Sequence, residues 1–178
     1  MQYDLSLNEE DFLIYSLYKA SKSKIAIKQM NSNWAWLSIA FFGLAIGMYL
    51  LENLSFAICF GVLGIVSLLF YPSYQKKHYI NHYKKYINDQ YNKDIAIRKI
   101  DIFTDHLKIA NSYSETNLTF AGLTHISETG KHIFINIKGG NAIIVPKTTH
   151  GFDALKNELI DICNKQGLKY ITELNWKW

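Results

Sequence analysis

Histidine and cysteine are the first residue types whose spacing could create a reactive or metal-binding site in this 178-residue chain. His78 and His82 are four residues apart, a spacing that places two ligands on one face of a helix. No Cys, Asp or Glu lies close to them in sequence, so we expect a solvated or interfacial histidine pair and no bound metal. Cys59 and Cys163 lie in different parts of the chain and are expected to remain separate thiols.

Two further polar groupings resemble fragments of active sites. The run Lys-Thr-Thr-His at 147–150 follows a predicted strand and is expected to be a solvated loop. Asp105 and His106 are adjacent, and because neighbouring residues of a strand point to opposite faces, we expect them not to act together. GxGxxG, GxxxxGK[ST], HExxH, GxSxG and CxxC motifs do not occur. The sequence therefore predicts a protein that is not an enzyme, with no catalytic residue and no cofactor.

Two long apolar runs dominate the first half of the chain. Residues 34–51 and 54–71 each contain 18 residues without a charge. A helix of that length measures about 27 Å, close to the thickness of the hydrocarbon core of a bilayer. Because Glu52 and Asn53 alone separate the runs, we predict an antiparallel helical hairpin that crosses a membrane twice.

The charges around the hairpin predict its orientation. Between Asp11 and Asp89, eight lysines face a single acidic residue, Glu52, and these lysines lie on both flanks of the hairpin. The positive-inside rule then places both termini in the cytoplasm. A basic excess beside the most apolar segment favours a bilayer surface over nucleic acid. The predicted interfacial residues are Trp34, Trp36, Tyr71, Lys76, Lys77, Lys84 and Lys85.

Small residues form a stripe along each predicted membrane helix. Close helix approach is what such stripes permit, so we expect the two helices of one chain to pack through them. Association of two copies of the chain is the alternative use of the same stripes. The residues concerned are Gly43, Gly47, Ala57, Gly61 and Gly64.

Elements of a soluble domain flank the hairpin on both sides. Tyr3, Leu5 and Leu7 alternate as in a strand, and Asn8 is placed to cap a helix with an acidic first turn. After Pro72, tyrosines and isoleucines at three- and four-residue spacing predict a separate amphipathic helix that places its lysines at the membrane surface. Short strands are predicted at 95–103, 106–110, 115–123, 132–138 and 141–147, followed by a helix at 151–165.

These elements predict an α+β membrane protein whose soluble part is a small antiparallel barrel or roll, capped by the C-terminal helix. One core should contain Phe120, Phe134, either Ile135 or Ile137, and Ile144, closed by Phe152, Leu155 and Leu159. The predicted segments are an N-terminal strand and helix at 1–33, the hairpin at 34–72, the juxtamembrane helix at 73–94, the β domain at 95–165 and an extended tail at 166–178.

Apolar and polar residues alternate along the tail, which indicates an extended segment with one apolar face. Two interpretations remain open for its last residues, Trp176 and Trp178. The tail either covers the chain's own domain, or these two indoles anchor a protein partner or the membrane interface.

The order of these parts resembles the YcxB-like family of bacterial membrane proteins. The resemblance covers nearly the whole chain and rests on LSLNEEDF, LYKASKSK, the hairpin, the basic helix after it and TNLTFAGLTHISETGKHIFINIKGGNAIIVPKT. It implies a pleckstrin-homology-like or GRAM-like fold for the C-terminal part, with Ile144 to Lys147 matching the Ile-Pro-Lys end of the last strand. Phe120 stands where the family commonly has Trp. The family provides no established catalytic or ligand-binding residue to transfer.

The leading functional hypothesis is a non-enzymatic protein, anchored in the inner membrane, that presents its soluble domain to a protein partner at the cytoplasmic face. A specific version is an immunity protein that neutralises a membrane-acting toxin. The alternative is a lipid-sensing or regulatory module that binds anionic headgroups. Lys108, Lys131 and Lys138 count against it, because they do not form the dense basic cluster that a headgroup pocket would need. A membrane enzyme is the third and weakest hypothesis, because the motifs are missing.

Overall fold

The computed structural model describes residues 2–90, 97–111 and 114–178. The described chain is α+β, with helices first, a β-rich region after them and a helix near the C-terminus. It divides into two compact units. The sheet unit comprises Met1–Tyr15 and Tyr86–Lys177, and the helical unit comprises Ser16–Lys85 together with Trp178.

The N-terminus folds as its sequence predicts. Strand β1 covers Gln2–Ser6 and helix α1 covers Glu9–Lys22. The Asn8 side chain accepts a hydrogen bond from the backbone N–H of Asp11 at 3.0 Å, and the Asp11 carboxylate accepts one from the N–H of Asn8 at 2.8 Å. This reciprocal pair is a capping box, which satisfies two N–H groups that would otherwise lack partners at the helix start.

The helical unit contains the predicted antiparallel hairpin. Helix α2 covers Lys24–Leu50 and helix α3 covers Leu54–Gln90. Glu52 in the turn between them has a φ of 60°, a left-handed conformation that reverses the chain over very few residues. Two cross-helix contacts fix the antiparallel register, because Phe42 lies opposite Gly64 and the Gln75 side chain donates to the carbonyl of Met30 at 3.3 Å.

Helix α3 is longer than predicted. The separate helix expected at 73–94 is wrong, because α3 continues without a break through Pro72 to Gln90, and residues 91–94 lie outside the described chain. A proline inside a helix removes one backbone hydrogen bond and usually marks a kink or an end. Here the ring lies at the end of the apolar run, where the carbonyl that loses its partner can bind water.

The first sheet has four antiparallel strands in the order β1-β2-β3-β4. Strand β2 covers Ile97–Ile102, β3 covers His106–Ala110 and β4 covers Glu115–Thr119. Strand β1 pairs with β2 although the entire hairpin separates them in sequence, with Tyr3 opposite Ile100 and Leu5 opposite Arg98. The predicted boundary between a 1–33 segment and a 95–165 domain is therefore wrong, since the N-terminal strand is part of the β domain.

The second sheet has the order β7-β6-β5-β8. A 3₁₀ turn at Phe120–Gly122 leads into β5, Leu123–Thr129, which is missing from the predicted strands, because the strand predicted at 115–123 ends where β5 begins. Strands β6, His132–Ile137, and β7, Ala142–Pro146, continue the sheet through the predicted Gly139-Gly140 turn, where both glycines have positive φ. Strand β8, Lys169–Glu173, pairs in parallel with β5, so the prediction of a purely antiparallel roll is wrong at this edge.

Helix α4, Phe152–Gln166, lies between β7 and β8 in sequence and closes the core, as its apolar face predicts. The return from α4 makes β8 run parallel to β5, because strands joined through a helix can re-enter a sheet in the same direction. The buried core draws on both sheets and α4 and includes Leu5, Ile100, Leu107, Phe120, Leu123, Ile126, Ile133, Ile135, Ile143, Val145, Leu155 and Leu159.

The predicted core was wrong in the orientation of one strand pair. Phe134 and Ile144 are buried, but they are cross-strand partners on the face of the second sheet that points away from this core. The Tyr15 ring of α1 lies 5.4 Å from the Phe134 ring and covers that face. Because both faces of the sheet are covered, β6 lacks the alternation that would have distinguished them.

Candidate functional site

The exterior of the hairpin is the most unusual surface in the helical unit. Both helices, Lys24–Leu50 and Leu54–Asp89, are long and apolar enough to cross a membrane, and their most apolar 18-residue windows have mean hydropathies of 1.4 and 2.3. Only 6% and 11% of their apolar windows is buried within the described chain. A core helix of a soluble protein would be mostly buried, so the hairpin presents large side chains that the rest of the described chain does not cover.

The predicted interfacial residues lie at the end of the hairpin away from the Glu52 turn. Trp36 is exposed, whereas Trp34 and Tyr71 are half-buried. Lys76, Lys77, Lys84 and Lys85 are all exposed along the polar extension of α3. Aromatic rings followed by lysines are the usual composition of a membrane–water interface.

The predicted packing of the two helices through small residues involves one of the four glycines. At Gly64 an added Cβ would lie 3.1 Å from the Phe42 ring, so this glycine permits close approach of the two helices. At Gly43, Gly47 and Gly61 an added Cβ would meet no atom of the described chain within 4 Å. Packing within the hairpin therefore uses Gly64, and the other three glycines face outward. Ala57 is half-buried on the same helix as Gly64.

The histidines of α3 are part of an aromatic surface. His78 is exposed and stacks on Tyr74 with ring centroids 6.3 Å apart, and His82 meets the edge of Tyr83 at 5.7 Å. In the part of the chain that the structure describes, no group of three or more His, Cys, Asp or Glu side chains comes together to hold a metal ion. Cys59 is exposed and Cys163 is buried, and both are free thiols.

A buried carboxylate in the sheet unit was missed by the sequence analysis. Glu128 on β5 is almost fully buried, and its side chain accepts hydrogen bonds from Lys147 at 2.6 Å, Lys156 at 3.0 Å and the Tyr170 hydroxyl at 2.9 Å. Burial alone would raise the pKa of Glu128, but these three donors outweigh it and lower the pKa. Burial and the Glu128 charge together raise the pKa of Tyr170.

The Glu128 cluster ties together four elements of the sheet unit. Glu128 lies on β5, Lys147 directly follows β7, Lys156 lies on α4 and Tyr170 lies on β8. The expectation that residues 147–150 form a solvated loop is therefore wrong for Lys147. All three donors hydrogen-bond to the carboxylate, so the cluster links α4, β8 and the end of β7 to β5.

A second buried pair joins α1 to the second sheet. His132 Nε2 lies 2.7 Å from Asp11 Oδ1, both side chains are buried, and the His132 ring stacks on Phe134. His132 Nδ1 is also buried and has no hydrogen-bond partner among the described residues. The pair borders a cavity of about 360 Å³. The sequence signal that could have revealed this site is His132, a polar residue at the first position of the apolar strand β6.

The prediction that Asp105 and His106 do not act together is also wrong. His106 Nδ1 lies 2.6 Å from Asp105 Oδ1. Asp105 lies in the turn before β3 rather than on the strand, so the rule of alternating faces does not apply to it. The hydrogen bond with His106 lowers the pKa of Asp105. The pair is exposed at the surface and stands over no buried reaction site.

The C-terminal tail is a strand followed by a turn. Residues 169–173 form β8, as the alternation predicts, and the backbone N–H of Trp176 then donates to the carbonyl of Glu173 at 3.0 Å. Trp176 is half-buried. Trp178 is also half-buried and groups with the helical unit, where its ring lies 6.2 Å from that of Tyr79. The role of these indoles in binding a partner stays a prediction.

Comparison with known proteins identifies one segment of the chain. No curated protein and no solved structure matches it. Residues 102–159, from β2 to within α4, match the model of the family described as YcxB-like protein. The resemblance drawn from the sequence is therefore confirmed for that segment, which carries strands β3 to β7 and the first half of α4.

Proposed function

We propose that this chain is a non-enzymatic binding protein whose α2–α3 hairpin anchors it in the bacterial inner membrane. The observation that carries the proposal is the uncovered apolar exterior of the hairpin. Water makes such a surface costly, by about 25 cal/mol for each Å² of apolar area, whereas hydrocarbon removes that cost. Apart from the carbonyl one turn before Pro72, each helix also satisfies its own backbone hydrogen bonds, which is required of any segment that spans a bilayer.

The lysine distribution supports an orientation with both termini in the cytoplasm. Lys76, Lys77, Lys84 and Lys85 extend from one end of the hairpin, and the turn at the other end carries Glu52. Translocating one acidic residue and one Asn is easier than translocating the lysine-rich flanks. This orientation places the sheet unit in the cytoplasm.

The sheet unit is the binding module in this proposal. The family resemblance implies a pleckstrin-homology-like domain, and antiparallel strands followed by a closing helix are compatible with that fold. Its buried charged groups, Glu128 and the Asp11–His132 pair, hold elements together and offer no solvent-open nucleophile. These features support a protein-binding role over an enzymatic one.

The partner in the most specific form of the proposal is a toxin that acts at the cytoplasmic membrane. A small two-span protein suits the task of an immunity protein, because a blocker of a membrane-inserting toxin must reside in the same bilayer. Trp176 and Trp178 are the candidate contact residues, since indoles are enriched among residues that dominate interface energetics.

Crosslinking in intact cells tests the binding role. The full-length chain, a Trp176→Ala/Trp178→Ala variant and a Lys177→Ala control are crosslinked, purified in detergent and analysed by mass spectrometry. We expect one protein that is captured by the wild type and the control but lost from the Trp variant. Identical captures from all three would contradict the tail as a contact surface. Immunity is tested separately, by whether the chain restores growth to cells that express a toxin gene adjacent to its own.

A further inference from the structure

The helical unit contains a groove beyond the apolar part of the hairpin. Its volume is about 440 Å³. Gln29 contributes from α2, and the remaining wall comes from α3 residues Tyr71, Tyr74, Gln75, His78, Tyr79 and His82. The predicted histidine pair and the interfacial Tyr71 therefore belong to one concave surface.

The depth of the groove matches the headgroup region of a bilayer. Along α3, Tyr71 and His82 lie about 26 Å and 42 Å from Leu54, at a rise of about 1.5 Å per residue. The hydrocarbon core of a bilayer is about 30 Å thick. If the Glu52 turn lies at one surface, the groove begins at the opposite edge of the hydrocarbon and continues through the layer that contains lipid phosphates.

The walls of the groove can donate several hydrogen bonds. Tyrosine hydroxyls, glutamine amides and imidazole N–H groups all donate to phosphate oxygens. Gln75 is 8% exposed, and its Nε2 group donates to the carbonyl of Met30 at 3.3 Å, which holds the two helices together at the floor of the groove.

The charge around the groove favours an anion. Among the residues that the structure describes, no carboxylate lines it, and Glu52 at the far turn is the only acidic residue in the sequence between Asp11 and Asp89. Lys28, Lys76 and Lys77 are exposed and adjacent in sequence to its lining residues. Tyr, Gln and His side chains have neither the charge nor the carboxylate oxygens that would select a hard cation.

We propose that this groove binds the phosphate group of an anionic membrane lipid. The proposal rests on the membrane insertion proposed above, and it is distinct from headgroup binding by the sheet unit. The lysines attract anionic lipid to the surface, and the Gln, Tyr and His donors of the groove then bind one phosphate in a fixed position. A soluble phosphate has the same chemistry and is the alternative source of the ligand.

Lipid retention by the full-length protein tests the groove. The protein is purified in neutral detergent with equal amounts of phosphatidylglycerol and of diacylglycerol, which lacks the phosphate, and retained lipids are counted by native mass spectrometry. We expect the wild type to retain phosphatidylglycerol about tenfold more strongly, because hydrogen bonds to a charged group are worth about 1.5 to 3 kcal/mol. Equal retention of the two lipids would overturn the proposal. Displacement of the lipid by millimolar inorganic phosphate would identify the ligand as phosphate itself.

Matched variants locate the binding. Gln29→Ala/His78→Ala removes donors from both helices, and Tyr74→Phe/Tyr79→Phe removes hydroxyls while keeping the rings. Both should lose the preference, whereas Tyr49→Phe, at the turn end of the hairpin, should keep it, and every variant keeps all lysines. A preference that survives in both groove variants would overturn the proposal. Flotation with vesicles separates the two proposals: protein that floats without lipid preference contradicts only the groove, and protein that does not float contradicts the anchor.

Discussion

Val145 in the sheet unit and Val62 in the hairpin carry the same side chain in opposite surroundings. Val145 is fully buried, whereas Val62 is 53% exposed, and large neighbours along both hairpin helices are similarly uncovered. The sheet unit follows the usual arrangement of a protein that folds in water, with aliphatic residues inside and charges outside. In the hairpin the large apolar side chains lie on the outside instead, which indicates that the two units are suited to different surroundings.

Polar groups show the same contrast. The sheet unit buries Glu128 and His132 and gives each of them a charged or hydrogen-bonding partner. In the apolar part of the hairpin, buried Ser38 donates to the carbonyl of Trp34, one turn earlier on its own helix. Ser38 therefore takes its partner from its own helix, and the Ser67 hydroxyl in the same hairpin has no partner among the described residues, whereas a folded core can bring partners from distant segments.

Lysine substitution should produce the largest difference between the two units. Leu44→Lys/Val62→Lys places a charge at the middle of each predicted span, and each should cost about 2.5 to 3.5 kcal/mol of insertion free energy. Leu174→Lys, at a comparably exposed position of the sheet unit, faces water and should cost nothing measurable. Alkaline extraction of membranes measures the outcome. Membrane retention of the double variant equal to wild type would mean that the hairpin does not span a bilayer.

Truncation of a buried ring should give the next largest effect. Phe134→Ala should lower the free energy of unfolding by about 3 to 5 kcal/mol, because the ring is fully buried beneath α1. Phe103→Ala is the control, since Phe103 is about half exposed and should cost much less. Thermal unfolding is measured on the full chain, because a fragment that begins after the hairpin lacks β1. Equal melting temperatures for the two variants would contradict the packing of α1 on the second sheet.

Loss of the buried carboxylate should have an intermediate effect. Glu128→Gln weakens three hydrogen bonds to a charged acceptor and should cost about 1 to 3 kcal/mol. Glu115→Gln disrupts an exposed pair with Lys108, which water screens, and should cost much less. Denaturant titrations at neutral pH measure both variants. Equal costs would mean that Glu128 is as accessible to water as Glu115.

The same carboxylate predicts a pH dependence. Because the pKa of Glu128 is lowered in the folded chain, its stabilisation is complete above the ordinary pKa of 4.5 and is lost as the pH falls further through the folded value. The wild type should therefore lose its advantage over Glu128→Gln in acid. An advantage that stays constant from pH 7 to about pH 3 would contradict the lowered pKa.

Glycine substitutions should give the smallest effects. Their effects on the melting temperature should differ between the inner and the outer face of the hairpin. Gly64→Ala brings a methyl group against the Phe42 ring, so the packing loss should cancel or exceed the gain of about 1 kcal/mol from helix propensity. Gly43→Ala meets open space and should keep that gain. Melting temperatures of both variants in detergent test this difference. A lower value for Gly43→Ala than for Gly64→Ala would show that the outward face is a packing surface.

Local patterns predicted the elements that depend on nearby residues. The two apolar runs, the cap at Asn8, the glycine turn at 139–140 and the face of α4 are all encoded within a few residues. The pairing of β1 with β2 and of β8 with β5 depends on partners far away in sequence, which periodicity does not specify. The orientation of Phe134 was missed because β6 is buried on both faces, and the donors around Glu128 were missed because they come from elements distant in sequence.

Accessibility of the two ends of the hairpin tests the membrane anchor most directly. In a background with Cys59 and Cys163 replaced, single cysteines are introduced as Asn53→Cys and Gln2→Cys, and intact cells are treated with a thiol reagent that does not cross membranes. We predict that the cysteine at 53 reacts in intact cells and that the cysteine at 2 reacts only after the cells are opened. The reverse pattern would contradict the orientation, and protection of both sites in intact cells would contradict the two-span hairpin.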